Sequence, residues 1–495
     1  MSSVSVTIWG LLALAVLPIL LFTYLPMTDL PEHMLLAKIL VSYDDPAFDY
    51  SQNFVMRIPW NPYSTFFWFA LLTAPFVGIP LATKLYITAT FVLTIVGLRG
   101  WVLAVVPEKE PNVMLAIPLL YGSFFYIGMI NFLFSIPFVF FALTLGWRVG
   151  SQKASRLEVV ALSGALLIIW FSHPISFALT LMLLGFQTLM ILRGRNVLTL
   201  CIASILPMTV AVTYFVFSVS DDIAGLVWAY EPWRSRAALL LMPFGISQGV
   251  LTSQLRLEPI VPFYWLFVIA CLVASLLLRS GKGKESNAWR GLTLPGILLV
   301  AATLLLPSTI GGGLTVAMRA APLAAYALVV TSPVRWYQHA VLRYLAISAC
   351  AVALLMVAYR VWEFQRDMQD FEGAVSVIPP HQRVQPVLTD LNTRHLTGYP
   401  FLHVTAWYNQ WKGGTSPYLF TQLTYVPVHD RAEVMPNVPG EWMMKKFRYV
   451  ENQKGTDYFL FRTGDAEILE DLVRNVPLAA EVGEWKVFGP NVEKR

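Results

Sequence analysis

Apolar runs of roughly membrane-crossing length, separated by short polar breaks, fill the first 361 residues, and a polar pattern follows. A hydrocarbon core of roughly 30 Å takes about 20 helical residues, and Ser5–Pro26 is the first run to meet that length. Basic or charged clusters fall at Arg99–Lys109, Arg148–Arg156, Arg193–Arg195, Arg279–Arg290 and Arg335–Arg343. Placing them all in the cytoplasm pairs the runs between them. The pairs are Met114–Phe125 with Phe132–Trp147, Leu157–Phe171 with Pro174–Leu192, Val197–Val219 with Val261–Leu278, and Leu292–Leu306 with Leu314–Val330. With Ser5–Pro26 running outward, Leu81–Leu98 inward and Leu342–Val361 outward, this makes about eleven spans. The aromatic-rich run Tyr63–Pro80 then stays outside as a juxtamembrane helix or hairpin, because one more crossing would reverse every later loop. The first outside loop is 27–80.

From Trp362 onward the pattern changes. Arg383–Asp390 and Asp457–Arg462 read as strands, Asp465–Arg474 as an amphipathic helix with Asp465 near its cap, and Glu484–Phe488 as a final strand. The predicted fold is therefore mostly α: a polytopic membrane helix bundle over 1–361, followed by a small extracytoplasmic α/β domain over 362–495 that lies, by parity, on the face of the first loop.

Composition agrees. Of 495 residues 56% are hydrophobic and only 13% charged, and the mean hydropathy is +0.60, which places the chain among membrane proteins. The net charge of +5 resides in short loops, so it reports topology and excludes nucleic acid as a partner. Cys201, Cys271 and Cys350 all lie in apolar runs and form neither a disulfide nor a zinc framework. The N-terminal run lacks a basic start and a small-residue cleavage site, and reads as a retained span. Neither a P-loop nor a dinucleotide fingerprint is present, and Gly311–Gly313 lacks a Lys-Ser/Thr partner.

Candidate chemistry begins at the mouth of the first span, where Thr28–Lys38 carries Asp29, Glu32 and His33. Pro31 suits the first turn of a new helix lying along the membrane surface, with Asp29 just before it. There Asp29 either faces a lipid headgroup or serves as an N-cap. The second outside loop offers Tyr126 and Asn131, and the third has His173, a candidate ligand or a hydrogen-bonded hinge residue. Arg319 lies about two turns into an apolar span. A guanidinium at that depth either grips a phosphate bidentately, snorkels, or pairs with a first-loop acid. The stretch Gly398–Tyr418 holds His403, Trp407, Tyr408 and Lys412, and serves either as a sugar platform or as an aromatic dock onto the bundle.

A first transmembrane helix followed by an Asp with acidic and His neighbours, here Asp29-Leu-Pro-Glu32-His33, opening a long outside loop, resembles the GT-C superfamily of polyprenyl-phosphate-sugar-dependent glycosyltransferases. The likeness is to bacterial members with a similar Asp-x-Pro-x-His stretch. It implies inverting transfer of a sugar from a lipid-linked donor to an acceptor hydroxyl, at the outer face of the bacterial cytoplasmic (inner) membrane. Asp29 would act as base with Glu32 and His33 beside it, and Arg319, with Arg57 or Lys412, would hold the donor phosphate. The acceptor, whether glycan, lipid or protein, stays open. Many GT-C enzymes carry a second acid in the next outside loop, where this chain has Asn131. No cofactor is firmly implied, and a divalent metal ion remains possible if Asp29, Glu32, His33 and His173 converge. Two other classes stand beside this reading: a noncatalytic assembly or export subunit, and a lipid-linked glycan transporter, which would be expected to show internal repeats that are not found.

Overall fold

The computed structural model describes residues 3–57, 60–151, 155–191, 194–218, 228–244, 246–248, 255–257, 289–310, 314–332, 335–393, 396, 398–432, 437–462 and 464–491. It is mostly helical. Helix α1 (Ser3–Leu21) is the first apolar run, and α2 (Leu30–Val41) starts at Leu30-Pro31, as proline's fixed φ and missing N–H favour. After a short strand β1 (Phe54–Met56), α3 (Thr65–Val105) joins the run Tyr63–Pro80 to the next span through a kink at Gly78, whose φ of +77° only glycine adopts without strain. The stretch before the kink packs on α2, with the rings of Phe66 and Phe67 against His33.

The expected single helix Met114–Phe125 is instead a buried succession of short 3-10 and α pieces between Pro107 and Ile127. Pro118 cannot donate in a helix interior, and Gly122 is extended, so no continuous ladder forms. Then come α4 (Ile130–Ser151), α5 (Arg156–Ser172), α6 (Pro174–Ile191), α7 (Gly194–Ser218), α8 (Leu294–Leu305) and α9 (Ala317–Thr331). A capping box of Ser155 and Glu158 begins α5. Among the described residues five helices are long and apolar enough to cross a membrane, and shorter apolar helices lie at 174–189, 291–305 and 317–331. The expected span Val261–Leu278 falls outside the described residues. Ile202, Ile205, Leu206, Val212 and Phe217 of α7 are exposed, as a lipid-facing helix requires.

Helix α10 (Ala340–Val375) is 36 residues long, about 54 Å, and carries the apolar span straight on into the polar segment after Trp362. Its polar half holds the end of the first span: the Tyr24 N–H donates to Gln365 and the Tyr24 hydroxyl to Glu372, both at 2.9 Å. The C-terminal sheet contains β2 (Val384–Leu388), β4 (Tyr458–Arg462), β5 (Leu478–Val482) and β6 (Trp485–Phe488), in the order β5-β6-β4-β2. Only β2 and β4 run parallel. Helix α12 (Ala466–Asn475) is capped by Asp465 and buries Ile468 and Leu472 against Val387, Phe459 and Phe461. Strand β5 was not expected; it is an edge strand whose residues are largely exposed, so its sequence lacks an apolar alternation.

Two further elements tie this segment to the first loop. Strand β3 (Val428–Asp430) pairs antiparallel with β1, and α11 (Thr405–Lys412) lies against α2, where Gln410 donates to the Pro31 carbonyl at 2.9 Å.

Candidate functional site

Asp29 is held by its backbone. Its N–H donates to the Ile127 carbonyl at 2.9 Å, the Thr28 N–H to the Tyr126 carbonyl at 2.8 Å, and the Thr28 hydroxyl to the Gly398 carbonyl at 2.7 Å. Such close approach needs Gly128, which sits at φ +92°; a Cβ there would stand 2.7 Å from the Asp29 nitrogen. Asp29 occupies the N-cap position of α2, yet its side chain makes no capping bond. The N-cap alternative is thereby corrected: with φ −88° and ψ −7° the residue is already helical, and a helical Ncap turns its carboxylate away from the free N–H groups.

The carboxylate faces His403 instead. His403 Nε2 lies 3.5 Å from Asp29 Oδ1, while its Nδ1 lies 3.2 Å from Glu441 Oε1 and 3.9 Å from Glu32 Oε1. His403 and Glu32 are 6% and 1% exposed, whereas Asp29 keeps 23% and Glu441 21%, so Asp29 and Glu441 are the members of this cluster that reach solvent. Glu32 also accepts from the Phe420 N–H at 2.9 Å. Burial alone would lower the His403 imidazole, but its partner Asp29 and the charges of Glu32 and Glu441 outweigh it and push it up to about 9. Burial drives Glu32 up to about 7 against the pull of His403 and the Phe420 N–H, and Glu441 also rises, chiefly through burial. At neutral pH His403 is thus an imidazolium among carboxylates. His33 behaves oppositely: enclosed by Phe66, Phe67 and Phe420, with no hydrogen-bond partner for Nδ1, it is pushed down to about 4 by burial and stays neutral.

Arg319, in the first turn of α9, is half-buried. Its guanidinium contacts the Met129 sulfur and lies 4.9 Å from the Phe132 ring centre, and its Nε has no hydrogen-bond partner. Among the described residues no carboxylate is within ion-pair distance of it, although the charges of Asp29 and Arg319 are close enough to act on one another. Around it, His173 stacks edge-on to Phe132 and Tyr63 at 5.1 and 5.2 Å, and Tyr63 meets Tyr425 at 5.2 Å. Tyr63 holds φ +72°, a conformation that costs a non-glycine residue about 1 kcal/mol or more and that gathers at functional sites.

The remaining candidates lie apart from this junction. Lys412 donates to the carbonyls of Val375, Ser376 and Ile378 at the end of α10, and Arg57 is exposed beside His429. Asn131 Oδ1 accepts from the Phe66 N–H and the Thr65 hydroxyl, both at 3.1 Å, anchoring the start of α3. Tyr126 is buried and supplies the carbonyl that holds Thr28. Trp407 packs on Tyr24 at 5.2 Å, and the Tyr408 hydroxyl donates to the Pro379 carbonyl at 2.7 Å, so both are buried where this segment meets the bundle. Among the described residues no three His, Cys, Asp or Glu side chains are arranged to hold a metal ion. Asp29, Glu32, His33 and His173 form no such group among the described residues: His33 packs against Phe66, Phe67 and Phe420, and His173 against Phe132 and Tyr63 on the Arg319 side.

Three contributors were not foreseen. Glu441, Tyr63 and Tyr425 carry no local motif, and only chain crossings bring them to Asp29 and Arg319. His403 stood out in its aromatic stretch, but nothing in that stretch connects it with Asp29, 374 positions earlier.

No known family profile matches the chain, and no curated protein does. Among solved structures, ArnT from Cupriavidus metallidurans bound to undecaprenyl phosphate is similar to it with a TM-score of 0.52 and 10% identity, covering 99% of this chain and 98% of that one. The apo state of the same protein gives 0.53 and 10%, covering 98% and 97%. At this identity the likeness establishes the architecture alone, and it agrees with the resemblance carried by the first loop: the chain is built on the GT-C glycosyltransferase fold.

Proposed function

We propose that this chain is a membrane glycosyltransferase that moves a sugar from a polyprenyl-phosphate donor to an acceptor hydroxyl at the outer face of the bacterial cytoplasmic membrane. One observation carries the reading. At one end of the bundle an Asp29 carboxylate free of any capping bond lies within electrostatic reach of Arg319, a guanidinium without a carboxylate partner among the described residues. The ArnT structure with undecaprenyl phosphate supports it, since the same fold there receives a lipid phosphate.

In this reading the acceptor hydroxyl attacks the anomeric carbon from the face opposite the phosphate, and its proton passes to Asp29. The glycosyl–oxygen bond breaks with inversion, and the electron pair leaves on the polyprenyl phosphate, which Arg319 stabilises and which need not be protonated to depart. Tyr63 and Tyr425 wall the Arg319 side, and the cluster at His403 holds the other.

The test is Asp29→Asn in cells that otherwise lack the chain. The polyprenyl-phosphate sugar should accumulate in lipid extracts read by mass spectrometry, with protein level unchanged. Wild-type lipid profiles in the variant would sink the proposal.

A further inference from the structure

Asp29 is pinned through its backbone, but its side chain takes no capping bond from α2. A base must hold its oxygen within hydrogen-bond reach of one proton, and a displacement of about 1 Å can cost about 10²-fold in rate. Among the described residues the polar group that meets this carboxylate is His403 Nε2, at 3.5 Å. That imidazole is enclosed. It is 6% exposed, its Nδ1 faces Glu441 and Glu32, and the Phe420 ring closes edge-on at 5.1 Å.

An apolar side chain would fill this position at far lower desolvation cost than an imidazole among three acids. We propose that His403 is the positioning residue of Asp29, its Nε2 orienting the carboxylate from the C-terminal segment while the charges of Glu441 and Glu32 face its Nδ1. The inference rests on the reading of Asp29 as the base. The titratable groups facing His403 are Asp29, Glu32 and His33 from the first loop and Glu441 from the C-terminal segment. His33 is neutral in the range that matters. His403 carries its charge at neutral pH and loses it near 9, so the orienting grip is present below that pH and fades above it.

The full-length protein in detergent micelles, labelled with ¹³C at histidine Cε1, reads the geometry directly. One resonance should titrate near pH 9, vanish in His403→Gln, and move to lower pH in Asp29→Asn and in Glu441→Gln. In cells, His403→Gln should lower turnover about 10²-fold at normal protein level, read as accumulation of the polyprenyl-phosphate sugar. A titration indifferent to Asp29→Asn, or unimpaired turnover in His403→Gln, would overturn the proposal. Should His403→Gln fail to accumulate, Glu441→Gln keeps the imidazole and carries the test, since both its titration and its turnover must fall. A silent His403→Gln beside an inactive Asp29→Asn removes this inference alone. An active Asp29→Asn removes the reading of Asp29 itself, and this inference with it.

Discussion

Arg319 shows how much one side chain decides. A guanidinium in an apolar helix is costly unless it meets an anion or a wet cavity, and here it has aromatic walls and a sulfur contact but no acid among the described residues. Structural pairing with a first-loop acid would have predicted such a partner. If it receives a phosphate, Arg319→Lys keeps the charge and loses the planar two-pronged geometry, so turnover should fall while the melting temperature holds. Arg319→Ala should fall further, by about 10²- to 10³-fold, the usual effect of removing one such donor. Both variants are to be purified in detergent and compared for melting and turnover. Equal turnover per folded molecule would take Arg319 out of the site.

At the scale of elements, the decisive contact is that of α2 with α11 and the loop leading to Phe420. It joins a helix of the first loop to a segment more than 360 positions later through the Gln410 bond to Pro31, the Phe420 bond to Glu32 and the cluster at His403. This contact is pH-sensitive, and the sign follows from the direction of each shift. His403 is raised from 6.5 to about 9, so its contribution to docking is complete below 6.5 and is lost as the pH rises through 9. Glu32 is raised from 4.5 to about 7, so its contribution is likewise lost as the pH rises, through 7. The melting temperature should therefore decline between pH 6.5 and 9, and the decline should be shallower in His403→Gln. Parallel curves for the two proteins would show that the cluster does not support docking.

For the whole molecule, packing of the C-terminal segment on Asp29 and Glu32 puts both on one side of the membrane. On the charge rule we propose that this side is the outside, with the basic cluster 279–290 on the other. In the C-terminal segment Lys454 is exposed and suits a probe. Cysteines at Lys454→Cys and Gly283→Cys should be labelled by an impermeant maleimide from opposite faces. Labelling from the same face would overturn the orientation.

Apolar run length and basic loops determined the membrane class and most helices by themselves, because lipid leaves the backbone no other partner than its own helix. The same local logic found Asp465 as a cap and the strands that became β2, β4 and β6, whose burial writes an apolar pattern into the chain. It failed where sequence carries no such pattern: at the exposed edge strand β5, and at Met114–Phe125, where the buried Pro118 and Gly122 break a helix that hydropathy alone would draw as continuous. At the site, residue types were legible and their partnerships were not. Asp29, Arg319 and His403 could be chosen for their chemistry, but a capping and a non-capping carboxylate look alike in sequence, and only the backbone angles and the missing capping bond at Asp29 separate them. That His403 belongs to Asp29, that Lys412 closes the end of α10, and that Tyr63 and Tyr425 wall Arg319 are long-range facts, decided by which surfaces fold together and not by any residue's neighbours along the chain.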